Sequence, residues 1–305
     1  RKMGVAISTN PDSSSVSVLG VGGVLEGPSE TLWVHQSGTT ARFCLPLAAL
    51  CGVEVEIDGD EQIKSRPHRE LCEALESLGV QIEYLGAPYT FPLRVNGENL
   101  KGGQVTLGGE ISSQFVSAVL LAAPCFPEEL EIIVEGDLVS SPYVDMTTAV
   151  MRSFGAGITR ISDKRYAVAP TGYSNASYMI EPDASAASYF FAAAAVSGGS
   201  ITIDGLGSQS IQGDVAFLDV LEEMGAKVVR SATSLSVTGT SSFSGVDVSM
   251  ATMSDTVPTL AAIAPLASSP TTIRDISFIA KKESDRLGAL VSELGKVGRE
   301  TERTE

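Results

Sequence analysis

The chain has 305 residues, a formal net charge of −16 at pH 7 and an apolar fraction of 43%. That length allows one large or two medium domains with real cores, and the composition is that of an ordinary soluble protein. An acidic balance argues against nucleic acid, whose phosphates need a basic face, and the longest apolar runs, Tyr189 to Val196 and Leu260 to Ala267, fall short of the ~18 residues that span a bilayer. Small anionic ligands stay open, because local arginines, lysines and helix starts hold them whatever the net charge.

No charged-then-apolar leader occupies Arg1 to Thr9. Met3-Gly4-Val5-Ala6-Ile7 is instead the first of five similar stretches, a bulky apolar residue, a Gly and a strand-like run. The others start at Leu78-Gly79, Phe154-Gly155, Met224-Gly225 and Leu294-Gly295, and each Gly fits the left-handed position just past a helix end. A second marker, a small polar cluster that opens an apolar helix-like run, recurs at Ser37-Gly38-Thr39-Thr40, Ile111-Ser112-Ser113-Gln114, Asp183-Ala184-Ser185-Ala186 and Met253-Ser254-Asp255-Thr256. Its copies lie roughly 70 to 76 residues apart, so the chain is built from copies of one unit.

Within a period the order is polar cluster, helix, strand, helix, Gly stop and hairpin. The best-marked unit predicts helices over Ser113 to Ala123 and Tyr143 to Phe154, and strands over Leu130 to Val134, Gly157 to Ile161 and Tyr166 to Ala169. The next predicts helices over Ala187 to Val196 and Asp214 to Met224, with strands over Ser200 to Ile203, Lys227 to Arg230 and Ser234 to Val237. This alternation reads as an α/β protein with helices on mixed sheets. Gly20-Val21-Gly22-Gly23 reads as a turn, since no helix pattern follows it as a phosphate loop requires. A change of composition at Met179 to Asp183 predicts a domain boundary, dividing the chain into 1–179 and 180–305.

Taken singly, Ser37, Ser112, Asp183 and Asp255 read as helix caps. Ser112-Ser113-Gln114 offers more than a cap needs, two hydroxyls and an amide beside free backbone N–H groups, and is a candidate anion site. Asp255 stands at the mouth of an expected helix from Thr256 to Leu266, whose Pro258 fits only a first turn. A helix N-terminus keeps such a carboxylate ionised, which suits a cap and also a general base. Lys282 and Arg286 are four apart and are expected to share a helix face, a like-charge pair costing about 0.2–0.5 kcal/mol. Either Glu283 and Asp285 neutralise them in a solvated turn, or an anion sits between them. Arg66 before Pro67 either flanks the helix Arg69 to Leu78 or meets a ligand. Arg42, expected in the first turn of the apolar helix Phe43 to Leu50, needs a carboxylate or phosphate if buried. His35 and His68 are too few for a zinc set, and Cys44, Cys51, Cys72 and Cys125 lack metal spacing, so no metal and a reducing, cytosolic compartment are expected.

Several stretches, in order and at these spacings, resemble the 5-enolpyruvylshikimate-3-phosphate synthase family of enolpyruvyl transferases. They are Ser37-Gly38-Thr39-Thr40-Ala41-Arg42, Lys64-Ser65-Arg66-Pro67, Ser112-Ser113-Gln114-Phe115-Val116-Ser117-Ala118, Ser141-Pro142-Tyr143-Val144-Asp145-Met146-Thr147, Asp183-Ala184-Ser185-Ala186-Ala187-Ser188-Tyr189, Gln212-Gly213-Asp214 and Lys282-Glu283-Ser284-Asp285-Arg286. The resemblance implies an inside-out α/β barrel of repeated βαβαββ units in two lobes that close on substrates at their junction. It also implies the reaction of phosphoenolpyruvate with shikimate 3-phosphate, by addition and then elimination of phosphate, with no metal or organic cofactor. By the same resemblance the chain would act as a monomer on small anionic metabolites, without nucleic acid or membrane partners.

Carried over by position, Ser112, Ser113 and Ser140 would hold the shikimate phosphate, with Gln114 near both substrates. Arg66 and Arg286 would clamp phosphoenolpyruvate, Arg42 would join the binding set, and Gly38 would leave room. Asp255 would take the proton of the attacking hydroxyl, Lys282 would steady that oxygen, and Glu283 would pass a proton to and from the methylene carbon. The family's N-terminal Lys-Ser element and its C-terminal Arg and Lys have no counterparts in these 305 residues. Gln36 and Phe43 also stand where the family usually has Asn and often Pro. The chain alone is therefore expected to be inactive or weak. The nearest rival is the UDP-N-acetylglucosamine enolpyruvyl transferase of the same fold; a fragment that only binds shikimate 3-phosphate is the other.

Overall fold

The computed structural model of the chain describes residues 1–12, 14–66, 68–110, 112–281 and 284–303. It opens with a hairpin, β1 (Ala6–Thr9) and β2 (Val16–Leu19). The next repeat runs β3 (Leu32–Trp33), α1 (Gly38–Ala49), β4 (Glu54–Asp58), α2 (Glu61–Lys64), α3 (Arg69–Ser77), β5 (Gln81–Tyr84) and β6 (Leu93–Asn96). Its successor runs β7 (Gly103–Gly108), α4 (Ser113–Ala122), β8 (Leu130–Glu135), α5 (Ser141–Ser153), β9 (Ile158–Ser162) and β10 (Arg165–Val168). A third contains α6 (Ala184–Ser197), β11 (Ser200–Asp204), a 3-10 turn Gly213–Ala216 that runs into α7 (Phe217–Glu223), β12 (Lys227–Arg230) and β13 (Ser234–Thr238). The last contains β14 (Asp247–Ser249), α8 (Val257–Ile263), β15 (Thr272–Arg274) and α9 (Arg286–Lys296).

Each complete repeat builds one four-stranded sheet by the same rule. Two parallel strands joined through a helix come first, and a hairpin then adds its second strand antiparallel to the inner one. The orders are β3-β4-β6-β5 and β7-β8-β10-β9, with β11-β13-β12 as a three-stranded version and β14-β15 as the parallel pair of the last repeat. Two compact units result, one made of Arg1–Leu138 and Thr147–Ser177, the other of Val139–Met146 and Tyr178–Glu305. The first turns of α5 thus belong with the second unit.

Burial follows the side-chain periods. Val55 and Ile57 alternate with Glu54, Glu56 and Asp58 along β4, so one face packs and the other is wetted. Leu71, Cys72, Ala74 and Leu75 form the apolar stripe of α3 and are buried, while Arg69, Glu70, Glu73 and Glu76 face outward or sit at its edge. The second unit has its own core, in which Phe191, Phe217, Leu221, Leu235, Val237 and Leu260 are buried together.

The predicted helices and strands of the two best-marked repeats are all present, with ends shifted by a few residues. Gly4, Gly79, Gly155 and Gly225 have φ of 81°, 91°, 77° and 109°, the left-handed geometry expected after a helix. The fifth position differs. Gly295 lies inside α9, and the left-handed residue comes three later at Gly298, φ 74°. The helix expected from Thr256 to Leu266 is broken into a 3-10 turn Ser254–Thr256, α8 and a second 3-10 turn Ala264–Leu266, where Pro265 cannot donate to an α-helical ladder. The shared helix face expected of Lys282 and Arg286 falls on Lys282, which lies outside the described residues. The chain is a 3-10 turn over Ser277–Lys281, non-helical at Ser284, and capped at Asp285, so Arg286 is the first residue of α9.

α6 shows a complete set of end signals. Asp183 accepts from the Ala186 N–H at 3.1 Å, alanines with the highest helix propensity fill the middle, and Gly198 closes it at φ 73°. Asp183→Ala is expected to cost about 1 kcal/mol. A urea midpoint unchanged by that substitution would contradict the cap.

Candidate active-site residues in each unit

In the first unit, two helix starts and one loop bring polar groups together. Ser37 caps α1, its hydroxyl accepting from the Thr40 N–H at 3.1 Å, and Gly38 is buried in the first turn. One turn on, Arg42 is only 8% exposed, because α1 starts at Gly38 and points this residue inward rather than placing it at the helix mouth. Its Nη1 donates to Gln114 Oε1 at 2.7 Å and to Ser112 Oγ at 3.3 Å, and its guanidinium lies 5.0 Å from the Phe115 ring centre. These partners include a neutral amide, a hydroxyl and an aromatic face, not only the carboxylate or phosphate expected for a buried guanidinium.

Ser112 is the N-cap of α4 and accepts from the Gln114 N–H at 3.3 Å. The Gln114 amide nitrogen donates to Thr39 Oγ1 at 3.2 Å, so Gln114 bridges the starts of α1 and α4. Ser113 is buried in the first turn of α4. Arg66, also 8% exposed, follows α2 and donates its backbone N–H to Ile63. Beside it His68 is fully buried, its ring edge-on to Phe91 at 4.8 Å, with no hydrogen-bond partner on either ring nitrogen. Burial first, and then the cations Arg42 and Arg66, hold its pKa down at about 3, so the imidazole is neutral. The result is a concentration of fixed positive charge from two buried arginines beside one uncharged ring. It can hold anions.

In the second unit the chemistry centres on two carboxylates. Asp255 lies in the 3-10 turn that leads into α8; its Oδ1 accepts from Arg286 Nη1 at 2.7 Å and its Oδ2 from the Tyr143 hydroxyl at 2.9 Å. Tyr143 also reaches Asp214 Oδ2 at 3.1 Å, yet a phenol has a single proton, so the two carboxylates share it. Burial, then Asp255 and then Asp214 raise the pKa of Tyr143 well above that of a free phenol, which keeps it a donor. Asp214 is 4% exposed and takes a further short hydrogen bond from Ser185 in the first turn of α6. Ser140 is buried with φ 53°, a left-handed conformation that residues with a Cβ seldom adopt, and its hydroxyl is 3.3 Å from that of Ser254.

Ser112, Gln114 and Arg42 are thus joined by direct bonds, with Gly38 buried one turn before Arg42; Asp255 and Arg286 form another joined pair; Ser140 lies on the turn before α5, which also carries Tyr143. Lys282 and Glu283 lie outside the described residues. Thr39, Tyr143, Ser185 and Asp214 belong to these clusters without having been singled out as site residues. For Asp214 a signal exists, an acid directly before the apolar run Val215, Ala216, Phe217 and Leu218. Among the described residues no group of three or more His, Cys, Asp or Glu could hold a metal, and no helix is long and apolar enough to cross a membrane.

The profile of the family described as EPSP synthase (3-phosphoshikimate 1-carboxyvinyltransferase) matches residues 1–305. A 3-phosphoshikimate 1-carboxyvinyltransferase of Nostoc sp. is 40% identical over 298 residues, covering 97% of this chain and 70% of its own length. That of Pseudoalteromonas translucida is 40% identical over 300 residues, covering 98% and 70%. Among solved structures, EPSP synthase from Acinetobacter baumannii superposes with a TM-score of 0.81 at 24% identity, over 100% of this chain and 70% of that one. The enolpyruvyl transferase NikO from Streptomyces tendae gives 0.64 at 17% identity, over 90% and 64%. At those identities the structures speak for the fold, the inside-out α/β architecture of repeated units.

Proposed function

Because the chain belongs to the EPSP synthase family, we propose that it transfers the enolpyruvyl group of phosphoenolpyruvate to the 5-hydroxyl of shikimate 3-phosphate. In the first step the hydroxyl oxygen bonds to the enol carbon and the methylene carbon gains a proton. In the second the carbon–oxygen bond to phosphate breaks, the methyl group gives a proton back, and phosphate leaves. No electrons are exchanged with an outside partner.

The observation that carries this reading is the grip on Asp255. A carboxylate that accepts from a guanidinium and a phenol is held ionised, and ionised it can receive the hydroxyl proton as the new bond forms. Arg286 fixes its direction and, as the family resemblance implies, binds phosphoenolpyruvate. Ser112 and Ser113 at the start of α4 bind the shikimate phosphate, since hydroxyls and first-turn N–H groups both point to that end. Ser140 is given its place on the shikimate phosphate by the family resemblance alone. Gln114, held by Arg42 on one atom and by Thr39 on the other, cannot turn and presents a fixed edge to the ligands. Arg66 supplies a permanent cation for phosphoenolpyruvate, and buried Gly38 leaves space for it. Lys282 steadies the hydroxyl oxygen and Glu283 carries the methylene proton, both as the family resemblance implies.

Calorimetry with shikimate 3-phosphate tests the binding half. Saturable binding is expected, weakened about tenfold in Ser112→Ala, the loss of one hydrogen bond to a charged oxygen. Phosphate release on adding phosphoenolpyruvate then separates an enzyme from a binder. Tighter binding of UDP-N-acetylglucosamine than of shikimate 3-phosphate would overturn the substrate assignment.

A further inference from the structure

The stretch Gln212-Gly213-Asp214 lies in the second unit, on the turn that leads into α7, and its side chains are stitched to the surroundings of Asp255. Gln212 Oε1 accepts from the Ala184 N–H at 2.8 Å, and its Nε2 donates to Glu181 Oε2 and to the Pro182 carbonyl, each at 2.8 Å. The turn is thereby tied to the start of α6. A Cβ on Gly213 would lie 2.5 Å from Pro142 Cβ and 3.3 Å from the Thr252 carbonyl oxygen, so glycine lets the turn pack against the residue before Tyr143. Asp214 then meets two hydroxyls on one oxygen, those of Tyr143 and Ser185, and an oxygen that accepts from both carries no proton itself.

Asp255 Oδ2, the phenol oxygen and Asp214 Oδ2 follow one another at 2.9 and 3.1 Å. Two hydrogen bonds across these three oxygens need two protons, and Tyr143 brings one. While both carboxylates are ionised, a phenol proton turned to one of them leaves a lone pair facing the other. A proton added to Asp255 completes the set: its new O–H donates to the phenol oxygen, and the phenol O–H donates to Asp214. The arrangement suits the state after a base has acted better than the state before.

We propose, on the reading of Asp255 as the base, that Asp214 is a positioning residue which draws the Tyr143 proton to itself and so makes Asp255 a stronger base. The attacking hydroxyl gives its proton to Asp255 Oδ2 as its oxygen bonds to the enol carbon. The two O–H groups then turn, and neither breaks. In the second step the proton leaves with phosphate, and the phenol swings back to Asp255.

Carboxyl-carbon NMR of Asp255 in the intact chain tests this without turnover. Arg286 from α9, Tyr143 from α5 and, behind the phenol, Asp214 face Asp255, so each affects where it titrates. In Asp214→Asn the new NH2 turns to the phenol oxygen and the phenol proton stays with Asp255. The Asp255 midpoint is expected to fall by about one pH unit, a tenfold loss of basicity. In a Tyr143→Phe background the same substitution is expected to move it much less, as a residue acting through the phenol must. Ser185→Ala, the milder change to the fold, leaves Asp214 more dependent on the phenol and is expected to raise the midpoint by about half a unit. Loss of charge alone gives equal shifts in both backgrounds and none for Ser185→Ala, and either result overturns the proposal. Single-turnover phosphate release is expected to slow about threefold to tenfold in Asp214→Asn, with shikimate 3-phosphate affinity unchanged. An unslowed variant overturns the proposal as well. A parent that releases no phosphate overturns the enzyme reading instead, and the titrations still decide what Asp214 does to Asp255.

Discussion

Asp255→Asn is expected to slow phosphate release by about 10²–10⁴-fold, the range for loss of a general base. Asparagine keeps the shape and, with its amide oxygen toward Arg286, still accepts there, while its NH2 faces the Tyr143 oxygen and the phenol keeps Asp214 as acceptor, so the fold persists. What it cannot do is take up the hydroxyl proton. The comparison is best made in single turnovers with protein in excess over shikimate 3-phosphate. Tyr143→Phe serves as the contrast. It removes the single phenolic proton that Asp255 and Asp214 share but leaves Arg286 in place, so its effect is expected to be smaller than that of Asp255→Asn. Equal rates in Asp255→Asn and the parent would take the base role away from this residue.

The order of elements was readable because the repeat presents each signal several times. Gly4, Gly79, Gly155 and Gly225 mark the same turn, and one ambiguous copy is corrected by the others. Gly295 misleads for a local reason: glycine costs a helix only about 1 kcal/mol, and the stripe Leu287, Leu290 and Leu294 holds the turns before it, so α9 runs one residue further, to Lys296. Of the pair Lys282 and Arg286 only Arg286 lies among the described residues, as the first residue of α9 behind its cap Asp285.

Site residues were legible where chemistry and helix starts coincide, as at Ser112 and Asp255. Partnerships were not. Nothing in the spacing tells that Arg42 meets Gln114, 72 positions away, or that Tyr143 meets Asp255, 112 positions away. Such bonds depend on which helix starts the sheets bring together, and a period of 70-odd residues fixes the order of units but not their side-chain contacts. His68 was judged only as a possible metal ligand. Its burial between two arginines is a property of the folded loop.

That burial has a consequence for stability against acid. His68 is expected to make the first unit less stable as pH falls from 6.5 toward 3. Its pKa is about 3 in the folded chain against 6.5 for an ordinary histidine, because burial first, then Arg42 and Arg66, disfavour the imidazolium. Between those values the unfolded chain binds a proton that the folded chain refuses, so stability rises with pH across this window and is complete above it. The loss amounts to about 2 kcal/mol at pH 5 and about 3 kcal/mol at pH 4. His68→Met removes the titration. It also removes two buried ring nitrogens that have no hydrogen-bond partner, each a group whose desolvation is uncompensated. Methionine adapts to the space beside Phe91, so a gain of about 1–2 kcal/mol at pH 7 is expected together with a flatter pH profile. Urea unfolding of parent and variant at pH 7 and pH 5 decides it, since carboxylates that titrate in both chains cancel in the difference. If the parent loses no more stability than His68→Met between those two pH values, the imidazole is not held neutral by its burial beside Arg42 and Arg66.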